Sequence, residues 1–407
     1  MVFLKQLLAL TAYCCGLLPA ALLAAGVEVS VVTIEGEEKK ATLADSDSGL
    51  KIDAAGVALK DVASIVLGPR DKQPDGTVLY LRNGDILGSI TIVSGDDSKL
   101  TFKTENCGEM TLDNKLLHAL TFPGKERPAA EALEAFLKGP KTKEDMLLLP
   151  KGDTVSGYIE KFSDKDLTFN AGGQSRPYTF EQVAAFRLAP LEEFKARTDP
   201  LASVELKDGS RITGKIVSLK EKTLSIEGIN LQPWRIPVDA IAAIEFKGGK
   251  MVYLSQLAPT AVEQQPYAGG APVVYRWRKD KAASGGKLLV GGKEFSRGLG
   301  VHSYCKLTYA LDGQYAKFLC TAGMDQTAGS DAVCSWKVLV DGKEAAVDNA
   351  KGGGNASIPA GGESRSKSEI RVDVSGAAKL ELVCDFGPDS DDAGDHFDWA
   401  DARLIKP

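Results

Sequence analysis

The chain has 407 residues, 43% hydrophobic and 26% charged, which is the composition of folded globular protein with apolar material for several cores. Its length predicts two to four domains. The formal net charge of −6 excludes a general nucleic-acid binder, since neutralising phosphates needs a basic face.

In chain order, residues 1–26 read as a signal peptide. Lys5 precedes an uncharged apolar run, Leu7 to Leu23, and the small residues Ala24, Ala25 and Gly26 offer a cleavage site. The competing reading is a retained anchor, but the run is at the lower limit for spanning a bilayer. Cys14 and Cys15 follow Thr11-Ala12-Tyr13, which lacks the small-residue pattern of a lipid-attachment cysteine. Cleavage would leave a secreted or periplasmic protein with no membrane span.

Residues 27–70, 75–124, 144–190 and 200–250 carry one degenerate repeat. Each copy begins with a strand that turns at Gly36, Gly84, Gly152 or Gly209, as in Val78-Leu-Tyr-Leu-Arg-Asn-Gly84 and Val204-Glu-Leu-Lys-Asp-Gly209. Such a hairpin turn needs positive φ. A second strand follows, then a third such as Thr223 to Ile226. The copy closes with a one-turn helix feeding a last strand, as in Ile236-Pro-Val-Asp-Ala-Ile-Ala-Ala-Ile244. Alternation such as Val204 and Leu206 against Glu205 and Lys207 gives each strand one buried face. Gly88, Gly157 and Gly214, in the second strands, mark the sharp bends that a small sheet needs to close. The pattern predicts four small SH3-like or Sm-like barrels acting as a spacer. Between copies two and three, residues 125–143 form a connector in which Arg127 to Lys138 has helical periodicity; Leu191 to Arg197 reads as a second short helix. The Pro-, Gly- and Gln-rich stretch 255–272 reads as an exposed linker and domain boundary.

From Val273 onward, seven runs read as strands: Lys287–Val290, Lys306–Leu311, Ala316–Ala322, Ser335–Val340, Ser368–Asp373, Lys379–Asp385 and Asp401–Ile405. Glycine-rich turns separate them, as in a jelly-roll β-sandwich. The fold class is therefore all-β. Cys305, Cys320, Cys334 and Cys384 lie here. Export permits disulfides among them, while the alternative is small buried hydrophobes; both readings stay open.

Five motifs occur in order: Phe295-Ser-Arg-Gly298-Leu-Gly300-Val-His302-Ser303; Tyr315-Ala-Lys-Phe318 leading to Gly323-Met-Asp325; Trp336-Lys-Val338 with Asp341-Gly342; Val372-Asp-Val-Ser-Gly376 before Leu380-Glu-Leu-Val383; and Asp395-His-Phe-Asp398-Trp399-Ala-Asp401-Ala-Arg403-Leu404. Together they make 273–407 resemble the novel putative carbohydrate binding module (NPCBM) family, related to carbohydrate-binding module family 51. The resemblance implies a sandwich that binds carbohydrate, and a structural calcium that members of the family often hold.

Sugar binding needs a flat apolar face for the ring and fixed polar groups for its hydroxyls. His302, Asp325, His396, Asp398 and Trp399 are the candidate carbohydrate contacts. Against this, Trp399 and Trp336 suit a core, and either histidine suits a structural hydrogen bond. Asp389, Asp391 and Asp395 are the candidate calcium ligands; a solvated acidic loop is the alternative. No nucleophile elbow, P-loop or H-E-x-x-H occurs, so the expectation is a non-enzyme with a glycan as partner. The rival expectation is a structural protein that contacts an envelope protein and binds no sugar.

Overall fold

A computed structural model describes residues 26–54, 56–69, 73–190, 201–267, 275–330, 332–347, 350–351, 353–357 and 367–407. The expected signal peptide and the expected helix at Leu191 to Arg197 lie outside these residues. Among the described residues the regular structure is strand, apart from one-turn 3-10 helices and one α-helix, Ala130–Leu137, in the expected connector.

The four repeats share local geometry to the level of single hydrogen bonds. Gly36, Gly84, Gly152 and Gly209 have φ of 89°, 88°, 97° and 85°, a region where a side chain clashes with its own backbone. The N–H of each donates to the carbonyl three residues back, on Thr33, Leu81, Leu149 and Leu206, at 2.9 to 3.0 Å. One-turn 3-10 helices at Leu59–Asp61, Asn114–Leu116, Phe180–Gln182 and Val238–Ala240 deliver the last strand in all four copies. A Cβ on Gly157 would lie 2.1 Å from the Asn170 carbonyl oxygen, and one on Gly214 2.2 Å from that of Glu227. These glycines are required by close strand approach, and each lies two residues before a register shift in the same strand.

Closed barrels are not what the ladders show, because no sheet is closed among the described residues. In the fourth repeat the strand order is Pro233–Pro237, Thr223–Glu227, Arg211–Lys220, Leu201–Leu206, Ile241–Lys247. The last strand keeps a free edge, and that edge pairs with another repeat. Ile244 lies opposite Ile65, joining copies four and one; Leu120 lies opposite Phe186, joining copies two and three. Each pair meets a second time, through Ser46 with Leu219 and through Gly95 with Phe162. Arg211 opposite Ile86 then ties copy four to copy two. The result is a block rather than a string. One hydrophobic cluster runs through all four copies, with Phe102, Phe162, Phe169, Phe186 and Trp234 fully buried in it.

The C-terminal part contains two six-stranded antiparallel sheets. One centres on His396–Ile405, flanked by Gly298–His302 and Lys317–Met324. The other centres on Lys379–Phe386, flanked by Cys305–Ala310 and Val333–Val340. Their facing residues form a second cluster, in which Trp336 meets Trp399 edge-on at 6.0 Å. All seven expected strands are present.

The expected linker is a correction. Ala261–Gln264, inside 255–272, is an edge strand on Cys305–Ala310, and Met251–Tyr253, just before it, pairs with the final strand. The composition hid this strand because it is exposed and held by backbone pairing, with Val262 left on the surface. Only part of the stretch is described, since 268–272 lie outside.

Lys317–Met324 and His396–Ile405 are buried on both faces instead of alternating. Their outer face packs on the repeat block, where Ile34, Ala63, Met251, Tyr253, Leu319 and Ile405 form a separate cluster. Arg297 bridges the same junction, 2.6 Å from Glu245 and 2.9 Å from Asp280. Burial alone would lower its pKa, but the two carboxylates outweigh it and raise it. Arg403 donates from Nε to the Ile34 carbonyl at 3.0 Å.

Candidate functional site

His302 ends one strand and His396 begins its neighbour, and the two are direct partners in the ladder. The register therefore puts both imidazoles at one end of the sheet, with centroids 5.4 Å apart. Tyr275 covers them. Its ring stacks on His302 at 4.4 Å and 24°, and meets His396 edge-on at 5.3 Å. His302 is only 5% exposed, while Tyr275 is 43% exposed.

Hydrogen-bond partners set both tautomers. His302 Nδ1 lies 2.9 Å from the Ser303 carbonyl oxygen. A carbonyl only accepts, so Nδ1 carries the proton and Nε2 is an acceptor, buried and without a partner. Thr327 Oγ1 lies 2.5 Å from Asp325 Oδ1. An ionised carboxylate only accepts, so the Thr327 proton goes there. The same oxygen must then accept from His396 Nδ1 at 3.1 Å and from Ser284 at 3.2 Å. His396 Nε2 is thereby an acceptor too. Burial lowers the pKa of both histidines, so both are neutral at pH 7.

Asp325 and Asp398 stand beneath this surface and are fully buried, which removes them as sugar contacts. Burial pushes Asp325 up, but hydrogen bonds from Asp398, Thr327 and the Leu289 N–H outweigh it and hold it low. Burial and the Asp325 charge drive Asp398 well above the carboxylate range. Asp398 accordingly keeps the proton that the pair shares. The Asp398–Asp325–Thr327–His396 chain orients the imidazole from below. Trp399 is likewise removed as a stacking face, being fully buried against Phe397 at 5.1 Å and against Trp336. Five expected contacts thus reduce to His396 at the surface, His302 under Tyr275, and three supports. Tyr275, Thr327 and Ser284 are the surface groups that sequence reasoning did not single out. The nearest signal was a tyrosine in a Tyr-Arg-Trp run at the start of the domain.

A second aromatic group lies at the same end. Tyr267 and Tyr304 meet Phe386 at 5.6 and 6.4 Å, and the Tyr267 N–H donates to Asp392 at 3.0 Å. Asp392 is close enough to His302 to raise its pKa slightly against the effect of burial.

The residues named for calcium do not fit a cage as placed. Asp391 accepts the Ala393 N–H at 2.8 Å, Asp389 is exposed, and Asp395 Oδ2 accepts from Ser303 at 2.5 Å. Among the described residues no three His, Cys, Asp or Glu converge on one point. Asp395 Oδ1 is nonetheless buried without a partner, and burial pushes the Asp395 carboxyl up to about 7. Of the cysteines, Cys305 lies opposite Cys384 in the ladder, and Cys305, Cys320, Cys334 and Cys384 are all buried free thiols.

Residues 250–405 match the family model described as NPCBM/NEW2 domain, in agreement with the motifs between Phe295 and Leu404. No curated protein matches the chain. Among solved structures, the CBM51-2 and INT domains of Clostridium perfringens ZmpB are 27% identical over 39% of this chain, with a TM-score of 0.30. This chain covers 32% of that one. A CBM51 from Clostridium perfringens GH95, in complex with methyl-galactose, is 26% identical over 38% of this chain and 99% of its own, with a TM-score of 0.30. The tandem CBM51 modules of the Streptococcus pneumoniae family 98 glycoside hydrolase are 16% identical over 67% of this chain and 91% of their own, with a TM-score of 0.29.

Proposed function

We propose that this protein, whose residues 250–405 match the NPCBM/NEW2 domain, is an exported, non-catalytic glycan-binding protein. The observation that carries the reading is the exposed Tyr275 ring, stacked on one imidazole and edge-on to another. One face of the tyrosine is held by His302, and the other offers a platform for the C–H face of a sugar ring. His396 Nε2 and the oxygen of the exposed Ser284 hydroxyl supply fixed partners for sugar hydroxyls, while Thr327 is fully engaged by Asp325, His396 and Ser284 and acts as a support. A neutral imidazole acceptor suits a hydroxyl donor and disfavours an anion.

The repeat block, a set of SH3-like units in this reading, serves as a rigid mount for a jelly-roll binding domain. The shared junction at Arg297 and Ile34 supports a mount over a flexible tether. Calcium at Asp389, Asp391 and Asp395 is a separate proposal that requires the 389–395 loop to close on the unpartnered Asp395 Oδ1, and no part of the sugar contact is routed through it.

A glycan array probed with the full chain tests the reading. Retention on a defined set of glycans should fall about tenfold or more in Tyr275→Ala, the loss of one stacking face, with thermal unfolding unchanged. A folded protein retained by no glycan, or retained equally after Tyr275→Ala, refutes it.

A further inference from the structure

Away from the sugar-facing end, a cavity of about 530 Å³ opens between the first and fourth repeats, where they adjoin Met251. Its walls are apolar: Leu50, Val62, Ile216, Phe246 and Met251 line it. Leu59, at the head of a one-turn helix, stands 38% exposed at the same place. A pocket of this size and character falls in the range of small-molecule sites.

Its charge is one-sided. Lys60, Lys215, Lys247 and Lys250 belong to the lining, and no carboxylate does. None of the four is in an ion pair among the described residues. Glu227 stands opposite Lys215 in the ladder but outside the lining. Burial, with Arg211 and Arg297 nearby, lowers the Lys247 pKa against Asp85 and Glu245. In a chain of net charge −6, an all-lysine rim over an apolar floor is an unbalanced surface.

We propose that this cavity binds a free long-chain fatty acid, with the acyl chain against Phe246, Ile216 and Leu50 and the carboxylate among the four lysines. The apolar walls fit a chain with no hydrogen-bonding groups. The ammonium groups fit a compact single-headed anion, which lysine takes as a point charge. The inference is independent of glycan binding, since the site lies on other elements.

The test is calorimetric titration of the delipidated full chain with dodecanoate and, separately, with 1-dodecanol. Dodecanoate should bind at one saturable site, about tenfold or more tighter than the uncharged alcohol. The exposed pair Lys60→Gln with Lys250→Gln should weaken dodecanoate about tenfold and leave the alcohol unchanged. These are surface substitutions, and a thermal melt checks the fold. Equal affinity for acid and alcohol, no binding of either, an unaffected double variant, or binding of lysophosphatidate without dodecanoate overturns the proposal. Glycan retention measured on the same sample separates its failure from that of the sugar site.

Discussion

Asp395 is placed to make folding stability depend on pH with a sign that a carboxylate rarely gives. It is fully buried, one oxygen holds Ser303, and the other has no partner. Burial first, then Asp389, Asp391 and Asp392, raise its pKa from 3.8 to about 7 in the fold. The unfolded chain releases this proton near pH 4, so between there and about 7 the folded state binds more protons than the unfolded one. Stability from this group is complete below about pH 4, declines as pH rises through the window, and falls no further above the folded value. At about 1.4 kcal/mol per unit the ceiling is about 4 kcal/mol; water reaching the acidic loop screens this to about 1–2 kcal/mol.

Asp395→Asn keeps an acceptor for Ser303 and removes the titration. Urea unfolding in a chelator, at pH 5 and pH 8, reads the difference between variant and parent, in which other titrating groups cancel. About two-thirds of the window lies between the two pH values, so the variant should gain about 1 kcal/mol on the parent at pH 8 relative to pH 5. A difference that is the same at both pH values refutes the reasoning, because it would mean that Asp395 ionises normally in the fold.

Gly214→Ala, whose Cβ would meet the Glu227 carbonyl at 2.2 Å, should cost about 1–3 kcal/mol by denaturant unfolding. A neutral effect would show that the second strand does not need that close approach. Arg297→Ala leaves Glu245 and Asp280 facing each other at the junction and should cost about 3 kcal/mol, read as an earlier thermal transition. Calcium titration of wild-type protein should raise the melting temperature only if the loop at 389–395 can close on the free Asp395 oxygen. No shift in the presence of millimolar calcium, relative to chelator, removes that proposal.

What could be read from the sequence was local. The four hairpin glycines, the one-turn helices and the seven C-terminal strands follow from positive φ, short-range hydrogen bonding and alternation, each settled within a few residues. The motifs around His302 and His396 marked two strands whose register brings both histidines to one end. The function of the flanking residues was not legible. A carboxylate at 325 or 398 and an indole at 399 look alike in sequence whether they face solvent or core.

Local patterning therefore established an all-β chain of repeated units followed by a two-sheet domain carrying a histidine pair. Tertiary structure alone decided that the repeats join through their last strands, since a free edge has no sequence signature for its partner. It also decided that Lys317–Met324 and His396–Ile405 are covered on both faces, that Tyr275 reaches His302 across 27 residues, and that four lysines ring one apolar cavity. Each of these is a meeting of distant segments, fixed by the packing of whole sheets and invisible to any window of neighbouring residues.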